Sequence, residues 1–166
     1  MSANRHEIPR GPAQKPPRPL SPVVHAGPQD CDDLIEFLHE VRDELDRGHA
    51  DEEMIVALAR DLSHYRGGTA LIVRGPARIE ASMGLAAERP LLSRSHHLRA
   101  VWHVVLPEAR LTGHAKSLFV AAKAFADSLG RPLLVTEFSP QPNAPKIRLA
   151  SRHLPVAGAL FLHEPA

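Results

Sequence analysis

The sequence lacks the features that mark secreted, membrane-spanning and metal-stabilised proteins. Its 166 residues include a single cysteine, Cys31, which excludes an internal disulfide and indicates a reducing compartment. No apolar run approaches the ~20 residues of a membrane-spanning helix, and the start of the chain has no apolar signal-peptide core. No histidine or cysteine spacing resembles a structural zinc site. We therefore expect a soluble, cytoplasmic protein without a metal centre.

Aromatic residues are also scarce, at 4% of the chain. Lys146, Arg148 and Arg152 form a modest basic patch, but proteins that bind single-stranded nucleic acid stack its bases on aromatic side chains. We therefore do not expect a nucleic-acid partner. Acidic residues, in contrast, concentrate between Asp30 and Asp61, where 12 carboxylates accompany three arginines. This asymmetry favours a cationic partner, and a solvated acidic helix face is the alternative.

Proline and basic residues are frequent in the first 20 positions, which contain few apolar side chains. This composition predicts a disordered Pro/Arg-rich tail over residues 1–20. The remaining residues, 21–166, are numerous enough to form a single domain with a hydrophobic core. Cys31 is interpreted as a small packing residue of that core, with a reactive thiol as the alternative.

Apolar periodicity and turn residues predict a succession of strands and helices. Helices are predicted from an acidic cap at 30–33 to Arg47, from Asp51 to Arg66, over 113–129 and over 145–153. Strands are predicted near Val23 and Val24 and over 69–74, 77–86, 98–106, 132–138 and 156–163. Tyr65, the only tyrosine, is predicted to be a core residue of the second helix. The predicted fold class is α/β (α+β), with about six strands and about four helices.

The loop Arg110-Leu111-Thr112-Gly113-His114-Ala115 joins a predicted strand to a long predicted helix. A helix that starts in this way presents main-chain N–H groups and the positive end of its dipole at one point. Phosphate oxygens bind to such a point, and a glycine lets the main chain approach them closely. We therefore predict that a phosphorylated molecule binds near Gly113. A strand-to-helix turn without a ligand is the alternative.

This order of elements resembles the GCN5-related N-acetyltransferase (GNAT) family over about residues 23–163. The cofactor loop of that family reads Gln or Arg, two free positions, Gly, one free position and then Gly or Ala. Arg110, Gly113 and Ala115 match this pattern, and Val105-Leu106-Pro107-Glu108 matches the Val-x-Pro-Glu that precedes it. Further on, Asn143 and Leu149 also match the family, whereas Ala150 stands where the family has a Tyr.

The resemblance implies one acetyltransferase-like domain with a GNAT-like mixed, mostly antiparallel central sheet. It also implies that acetyl-CoA is the acyl donor, and that its pantetheine arm lies between splayed fourth and fifth strands. The loop amides would bind the pyrophosphate, and the main chain at 104–106 would polarise the acetyl carbonyl. The cofactor-binding residues would be Val104, Val105, Leu106, Arg110, Leu111, Thr112, Gly113, His114, Ala115, Lys116 and Asn143.

Acetyl transfer to an amine requires a group that accepts the amine proton. His103, Glu80 and Glu137 are the candidate bases. The alternatives are a buried, hydrogen-bonded imidazole for His103 and solvent-facing carboxylates for Glu80 and Glu137. The family commonly uses the Tyr of its last helix to protonate the leaving thiolate, and Ala150 cannot do so.

The resemblance therefore implies an N-acetyltransferase, an acyltransferase that acts on a primary amine. The acceptor would be a small cationic amine or a protein lysine or N-terminus. It would be attracted to acidic residues at the connection between the first two helices, namely Glu44, Asp46, Asp51, Glu52 and Glu53. Ala150 favours the alternative of a catalytically inactive protein that binds an acyl-CoA or a nucleic-acid phosphate backbone. The oligomeric state stays open, with a homodimer as one alternative.

Overall fold

The computed structural model describes residues 20–45, 51–89, 96–136 and 145–155. The helices are α1 (Cys31–Glu40), α2 (Glu52–Ser63), α3 (His114–Ser128) and α4 (Pro145–His153). The strands are β1 (Val24–His25), β2 (Gly68–Arg74), β3 (Ile79–Glu88), β4 (His97–Val105) and β5 (Leu133–Val135). The predicted α+β class and the order of elements are confirmed. The described residues contain five strands, where about six were expected for the whole chain. The predicted sixth strand (156–163) and the predicted tail up to residue 19 lie outside the described residues.

The five strands form one sheet in the order β1-β2-β3-β4-β5. Neighbouring strands from β1 to β4 are antiparallel, and β5 runs parallel to β4. A parallel pair needs a long crossover connection, which α3 provides. The C-terminal end of β4, the turn between β2 and β3 and the start of α3 therefore meet at one end of the sheet.

Both faces of the sheet are covered by helices. His25 and His103 have their rings against Phe125 and Phe119 of α3, so these residues share the α3 face. Gly68 lies on the other face, because a Cβ on it would come within 2.7 Å of the Leu62 side chain of α2. Large apolar side chains fill both layers and are almost completely inaccessible, among them Leu34, Leu38, Leu62, Leu71, Ile72, Met83, Leu85, Leu118 and Phe119. Cys31 is buried in α1, as the packing interpretation predicted.

The predicted end of the first helix is wrong. The helix α1 stops at Glu40, and Arg42–Glu44 forms a separate 3-10 turn. Val41 is the last fully buried residue there, and the three side chains that follow it are exposed. Beyond Val41 only the partly buried Leu45 still packs against the core, so little buried apolar surface supports a longer α1.

The predicted core position of Tyr65 is also wrong. Tyr65 is 56% exposed and has a left-handed φ of 58°. Its neighbour Arg66 donates its N–H to the Asp61 carbonyl at 2.7 Å, which closes a Schellman-type turn at the end of α2. Tyr65 therefore ends the helix at the surface and contributes nothing to the core.

Within the described part of the chain, none of the helices has both the length and the apolarity to cross a membrane.

Candidate functional site

A β-bulge in β4 shapes the middle of the sheet. Gly84 pairs with Trp102 and Leu85 pairs with Ala100, so Val101 is an extra residue with no opposite partner on β3. The bulge places Ala100 and His103 on the same face, although regular alternation would separate them. Trp102 lies on the opposite face over Gly84 and donates its Nε1–H to Ser82 Oγ at 3.0 Å.

The strands β4 and β5 pair only briefly. Their register runs from Leu98 and Leu133 to Ala100 and Val135, and the pairing extends no further among the described residues. The strand β4 itself continues to Val105, still paired with β3. Main-chain groups on the β5 side of β4 beyond the bulge thus border the space where an extended ligand arm was expected.

The loop after β4 leads directly into α3. A short 3-10 turn (Pro107–Ala109) follows Leu106, and Gly113 is the N-cap of α3 with a left-handed φ of 97°. A Cβ on Gly113 would meet no atom within 4 Å, so the space above this residue is open. The N-cap provides no side-chain hydrogen bond to the first turn. The main-chain N–H groups of that turn therefore have no capping side chain and can bind an anion.

The predicted loop residues differ in their surroundings. The Arg110 guanidinium forms an ion pair with Glu44, so this motif residue already has a carboxylate partner. Thr112 donates its hydroxyl hydrogen to the Ala109 carbonyl at 2.6 Å, while Leu111 is 84% exposed and Lys116 is also exposed. Val104, Val105 and Leu106 are buried, which leaves main-chain rather than side-chain contacts for a ligand.

The candidate base His103 lies between the sheet and α3. Its half-buried ring packs edge-on against Phe119 with the ring centroids 4.6 Å apart. Phe119 in turn stacks on His153 of α4 at 5.8 Å. His103 therefore lies on the side of the sheet covered by α3 and α4.

The candidate base Glu80 is not solvent-facing, which was the alternative for it. Its carboxylate Oε2 lies 2.8 Å from Nε2 of His114, a buried residue that the sequence had suggested only for its main chain. Ser21 lies on the other side of the same imidazole, with Oγ 2.7 Å from Nδ1. Sequence reasoning missed Ser21, because a serine in an extended segment carries no motif. It also missed that the Glu80 carboxylate occupies the space that a Cβ of Gly75 would fill, because Gly75-Pro76 was interpreted simply as a turn.

The remaining predicted residues are less informative. Glu137, Asn143 and Asp46 lie outside the described residues. Ala150 is half-buried on α4, and the adjacent Ser151 is exposed and bonds the Arg148 carbonyl of its own helix at 3.2 Å.

The acidic residues around the first helix connection have several local partners. Asp51 caps α2, since its Oδ1 accepts the Met54 N–H at 3.0 Å, and Glu52 and Glu53 are exposed in the first turn. Negative charge there also suits the helix dipole. Across residues 20–45, 51–89, 96–136 and 145–155, no group of three or more potential metal ligands comes together.

Comparisons with known proteins identify the fold. No family model and no curated protein matches the sequence. Among solved structures, a ribosomal-protein-alanine N-acetyltransferase from Brucella melitensis biovar Abortus 2308 matches at 12% identity with a TM-score of 0.63 over 86% of this chain and 99% of its own.

Two aminoglycoside-related structures match in the same way. An aminoglycoside acetyltransferase from an uncultured soil metagenomic sample has 18% identity and a TM-score of 0.67 over 87% of this chain and 97% of its own. AAC(6′)-Iy, in complex with the bisubstrate analogue CoA-S-monomethyl-acetylneamine, has 15% identity and a TM-score of 0.65 over 87% and 98%. The protein therefore has the fold of N-acetyltransferases, and the predicted GNAT resemblance is confirmed at that level.

Proposed function

We propose that the protein is an acetyl-CoA-dependent N-acetyltransferase that transfers an acetyl group directly to a primary amine. The observation that carries this proposal is the course of β4. Among the described residues its pairing with β5 ends at Ala100, yet β4 runs on to Val105 and leads to a helix whose N-cap Gly113 is left-handed and open. The shared fold supports the same reaction class, although fold alone does not specify an activity.

The described residues fit a molecule with a pyrophosphate and an extended arm. Main-chain N–H groups of residues 111–116 would bind the pyrophosphate, with the exposed Lys116 adding positive charge. The main chain of residues 104–106 would bind the pantetheine arm, and Asn143 is proposed to contact it. Arg110 would exchange Glu44 for phosphate, since both present oxygen acceptors to its guanidinium. Acetyl-CoA supplies the thioester whose carbonyl is the electrophile.

The proton acceptor for the amine is proposed among His103, Glu80 and Glu137. His103 ranks first, because it is half-buried, lies two residues past the bulge residue Val101 and carries an imidazole, the side chain most often used as a general base. Glu80 ranks below it, because its carboxylate already has the His114 imidazole as a partner. His103→Gln should lower kcat by about 100-fold or more if His103 takes the proton. A kcat within about twofold of the parent value would exclude that role.

The acceptor is proposed to be a cationic amine, either a small molecule or a protein lysine or N-terminus. Glu52 and Glu53 are exposed beside the first helix connection, where negative potential would attract such a molecule. Replacing both with Gln should raise KM for a polycationic amine and leave KM for a neutral amine unchanged. An equal KM for the polycationic amine in both proteins would contradict this part of the proposal.

A matched pair of glycine variants tests the cofactor loop. Gly113 and Gly67 both have left-handed φ values, 97° and 71°, and a Cβ on either meets nothing within 4 Å. Replacing either with Ala should therefore cost a similar backbone strain of roughly 1–2 kcal/mol. Only Gly113→Ala should weaken CoA binding, by about tenfold or more in calorimetry, equal to ~1.4 kcal/mol. Equal CoA affinity in the two variants would refute binding at this loop.

A second function, binding without catalysis, is favoured by Ala150, which leaves the usual acid position of α4 without a proton donor. Thiol release from acetyl-CoA with a panel of amines distinguishes the two functions. Release that depends on an amine supports the enzyme. Calorimetric CoA binding with no release supports the binding protein. Absence of CoA binding together with retention of nucleic acid supports the phosphate-backbone version.

A further inference from the structure

A serine, a histidine and a carboxylate form a continuous hydrogen-bonded chain that the proposed acetyl transfer does not use as a unit. Ser21 Oγ lies 2.7 Å from His114 Nδ1, and His114 Nε2 lies 2.8 Å from Glu80 Oε2. The three residues come from different elements: the segment before β1, the first residue of α3, and β3. We refer to Ser21, His114 and Glu80 as the Ser–His–Glu chain.

The fold holds Glu80 in position through a second bulge and a glycine. Val73 pairs with Ala81 and Arg74 pairs with Ile79, so Glu80 is the extra residue of β3. A bulge re-aims the side chain at its position. The carboxylate then lies where a Cβ of Gly75 would be, and this contact exists because Gly75 has no side chain. The Glu80 carbonyl also accepts the Leu106 N–H at 2.9 Å, which ties the bulge to the end of β4.

Ser21 is held by its main chain rather than by its hydroxyl. Its N–H donates to Ser117 Oγ at 2.9 Å, and the Ser117 hydroxyl donates to the Gly113 carbonyl at 3.3 Å. Ser21 thereby lies against the first turn of α3. His114 is buried with 8% exposure, whereas Ser21 is only partly buried and follows the half-exposed Leu20. Ser21 is therefore the accessible end of the Ser–His–Glu chain, and the His114 imidazole is its buried centre.

The proton arrangement along the Ser–His–Glu chain follows from the hydrogen-bonding capacity of its members. An ionised Glu80 can only accept, so it takes the hydrogen on His114 Nε2. The lone pair of the neutral imidazole then resides on Nδ1, where it accepts the Ser21 hydroxyl hydrogen. A carboxylate that orients an imidazole, which in turn accepts a serine proton, is the arrangement that activates serine as a nucleophile.

We propose that Ser21 is an acyl-accepting nucleophile for small activated esters, with His114 as its base and Glu80 orienting the imidazole. In the first step a bond forms from Ser21 Oγ to the acyl carbon, and the ester C–O bond breaks. The Ser21 proton passes to Nδ1 and then to the leaving alkoxide. Water repeats the sequence on acyl-Ser21 and releases the carboxylic acid.

The test uses the full-length protein with p-nitrophenyl acetate and with a fluorophosphonate probe, followed by peptide mapping. We expect the fluorophosphonate to leave one phosphonyl group per chain, located on Ser21, and p-nitrophenyl acetate to acylate the same residue before water releases acetate. Lysine side chains also react with the ester, so the mapped position decides the result. Mapping on the parent protein needs no variant and is therefore independent of any folding defect. Absence of modification at Ser21 by both reagents overturns the proposal.

Variants then assign the roles. Ser21→Ala should abolish labelling by the fluorophosphonate, and His114→Gln should slow it by about 100-fold or more. Glu80→Gln should slow it less, because the imidazole is retained. Ser151→Ala is the matched control, since Ser151 is an exposed serine that bonds only its own helix carbonyl in the structure. Equal labelling of the Ser21→Ala and Ser151→Ala variants would refute the assignment. The assay contains no CoA, so its outcome is independent of the proposed acetyltransferase activity.

Discussion

Gly75 shows how a missing side chain arranges the end of the sheet. Its φ is not left-handed, so its main chain has no conformational need for glycine. The need is spatial, because the Glu80 carboxylate lies where its Cβ would be. Neither residue reveals this relation in the sequence, where Gly75-Pro76 reads simply as a turn. Because Gly75 has a hydrogen atom where alanine would have a methyl group, the Glu80 carboxylate can reach His114.

A double-mutant cycle tests this relation. Gly75→Ala should cost about 1–3 kcal/mol of unfolding free energy, since it displaces Glu80 and leaves His114 without one hydrogen bond. In a Glu80→Ala background the same change should cost less than about 0.5 kcal/mol. Urea unfolding of the four proteins measures both values. An equal cost in the two backgrounds would show that the methyl group clashes with something other than the carboxylate.

Asp30 is a second residue whose surroundings alter its chemistry. Burial raises the pKa of its carboxyl group, but hydrogen bonds from the Gly27 N–H and the Arg74 guanidinium lower it more. The two bonds measure 2.8 Å and 2.6 Å. The net pKa lies below the ordinary value of 3.8, so the folded protein keeps this carboxylate ionised at more acidic pH than the unfolded chain does.

The pH dependence of the unfolding free energy follows from this lowered pKa of Asp30. The stability that Asp30 contributes is fully present above pH 3.8, and it is lost as the pH falls towards the lower pKa of the folded state. Asp30→Asn should reduce the unfolding free energy at neutral pH by about 1–3 kcal/mol. It should also flatten the decline below about pH 4. Unfolding curves in denaturant at a series of pH values measure this, and parallel declines in both proteins would contradict it.

At the scale of elements, β4 differs most from what its sequence suggests. Alternating apolar residues predict a regular strand over 98–106, and the strand is present. The bulge at Val101 nevertheless puts Trp102 on the face opposite Ala100, although regular alternation would place these two residues on the same face. A bulge is a property of the pairing between two strands, so the sequence of β4 alone does not reveal it. The early end of α1 has a similar origin, since the apolar periodicity continues to Leu45 but the main chain between Val41 and Leu45 forms a separate 3-10 turn with exposed side chains.

Substitution of Gly84, which lies opposite the bulge, tests how Trp102 packs on β3. A Cβ on Gly84 would lie 2.7 Å from the Trp102 ring, so Gly84→Ala should cost about 1–3 kcal/mol. The emission of Trp102, the only tryptophan in the chain, should change as well. Gly27→Ala is the control, because the atoms nearest to its Cβ belong to the flexible end of the Gln29 side chain, the first of them at 2.5 Å. Similar losses in both variants, with unchanged emission, would contradict the packing of Trp102 on Gly84.

For the whole molecule, exposed ion pairs connect the α1 region to the loop after β4. Arg78 contacts both Glu40 and Glu108, and Arg110 contacts Glu44. All five side chains keep between 30% and 55% of their surface accessible. Pairs this exposed contribute little to stability, because solvent and salt screen them. These ion pairs fix the position of the loop after β4 relative to α1. The buried apolar layers on both sides of the sheet supply most of the stability.

A change in salt concentration distinguishes the contribution of the ion pairs to stability from that of the buried core. Raising NaCl from about 0.05 M to about 0.5 M should change the unfolding free energy by less than ~1 kcal/mol. The same change should weaken CoA binding, since the proposed contacts to its phosphates are ionic or dipolar. Urea unfolding and calorimetry at the two salt concentrations measure both effects. A loss of several kcal/mol of stability would mean that the ion pairs, rather than the core, hold the fold.

The amino-acid sequence by itself determined the order of helices and strands and the glycine-containing loop that leads into α3. These are local properties, set by apolar periodicity, capping and the conformational freedom of glycine. Only the tertiary structure decided that Arg110 meets Glu44 and that Ser21 and Glu80 meet at His114, across separations of 66, 93 and 34 residues. Contacts over such distances depend on strand register and bulges, and a shift of one residue in register turns every side chain of a strand to the opposite face.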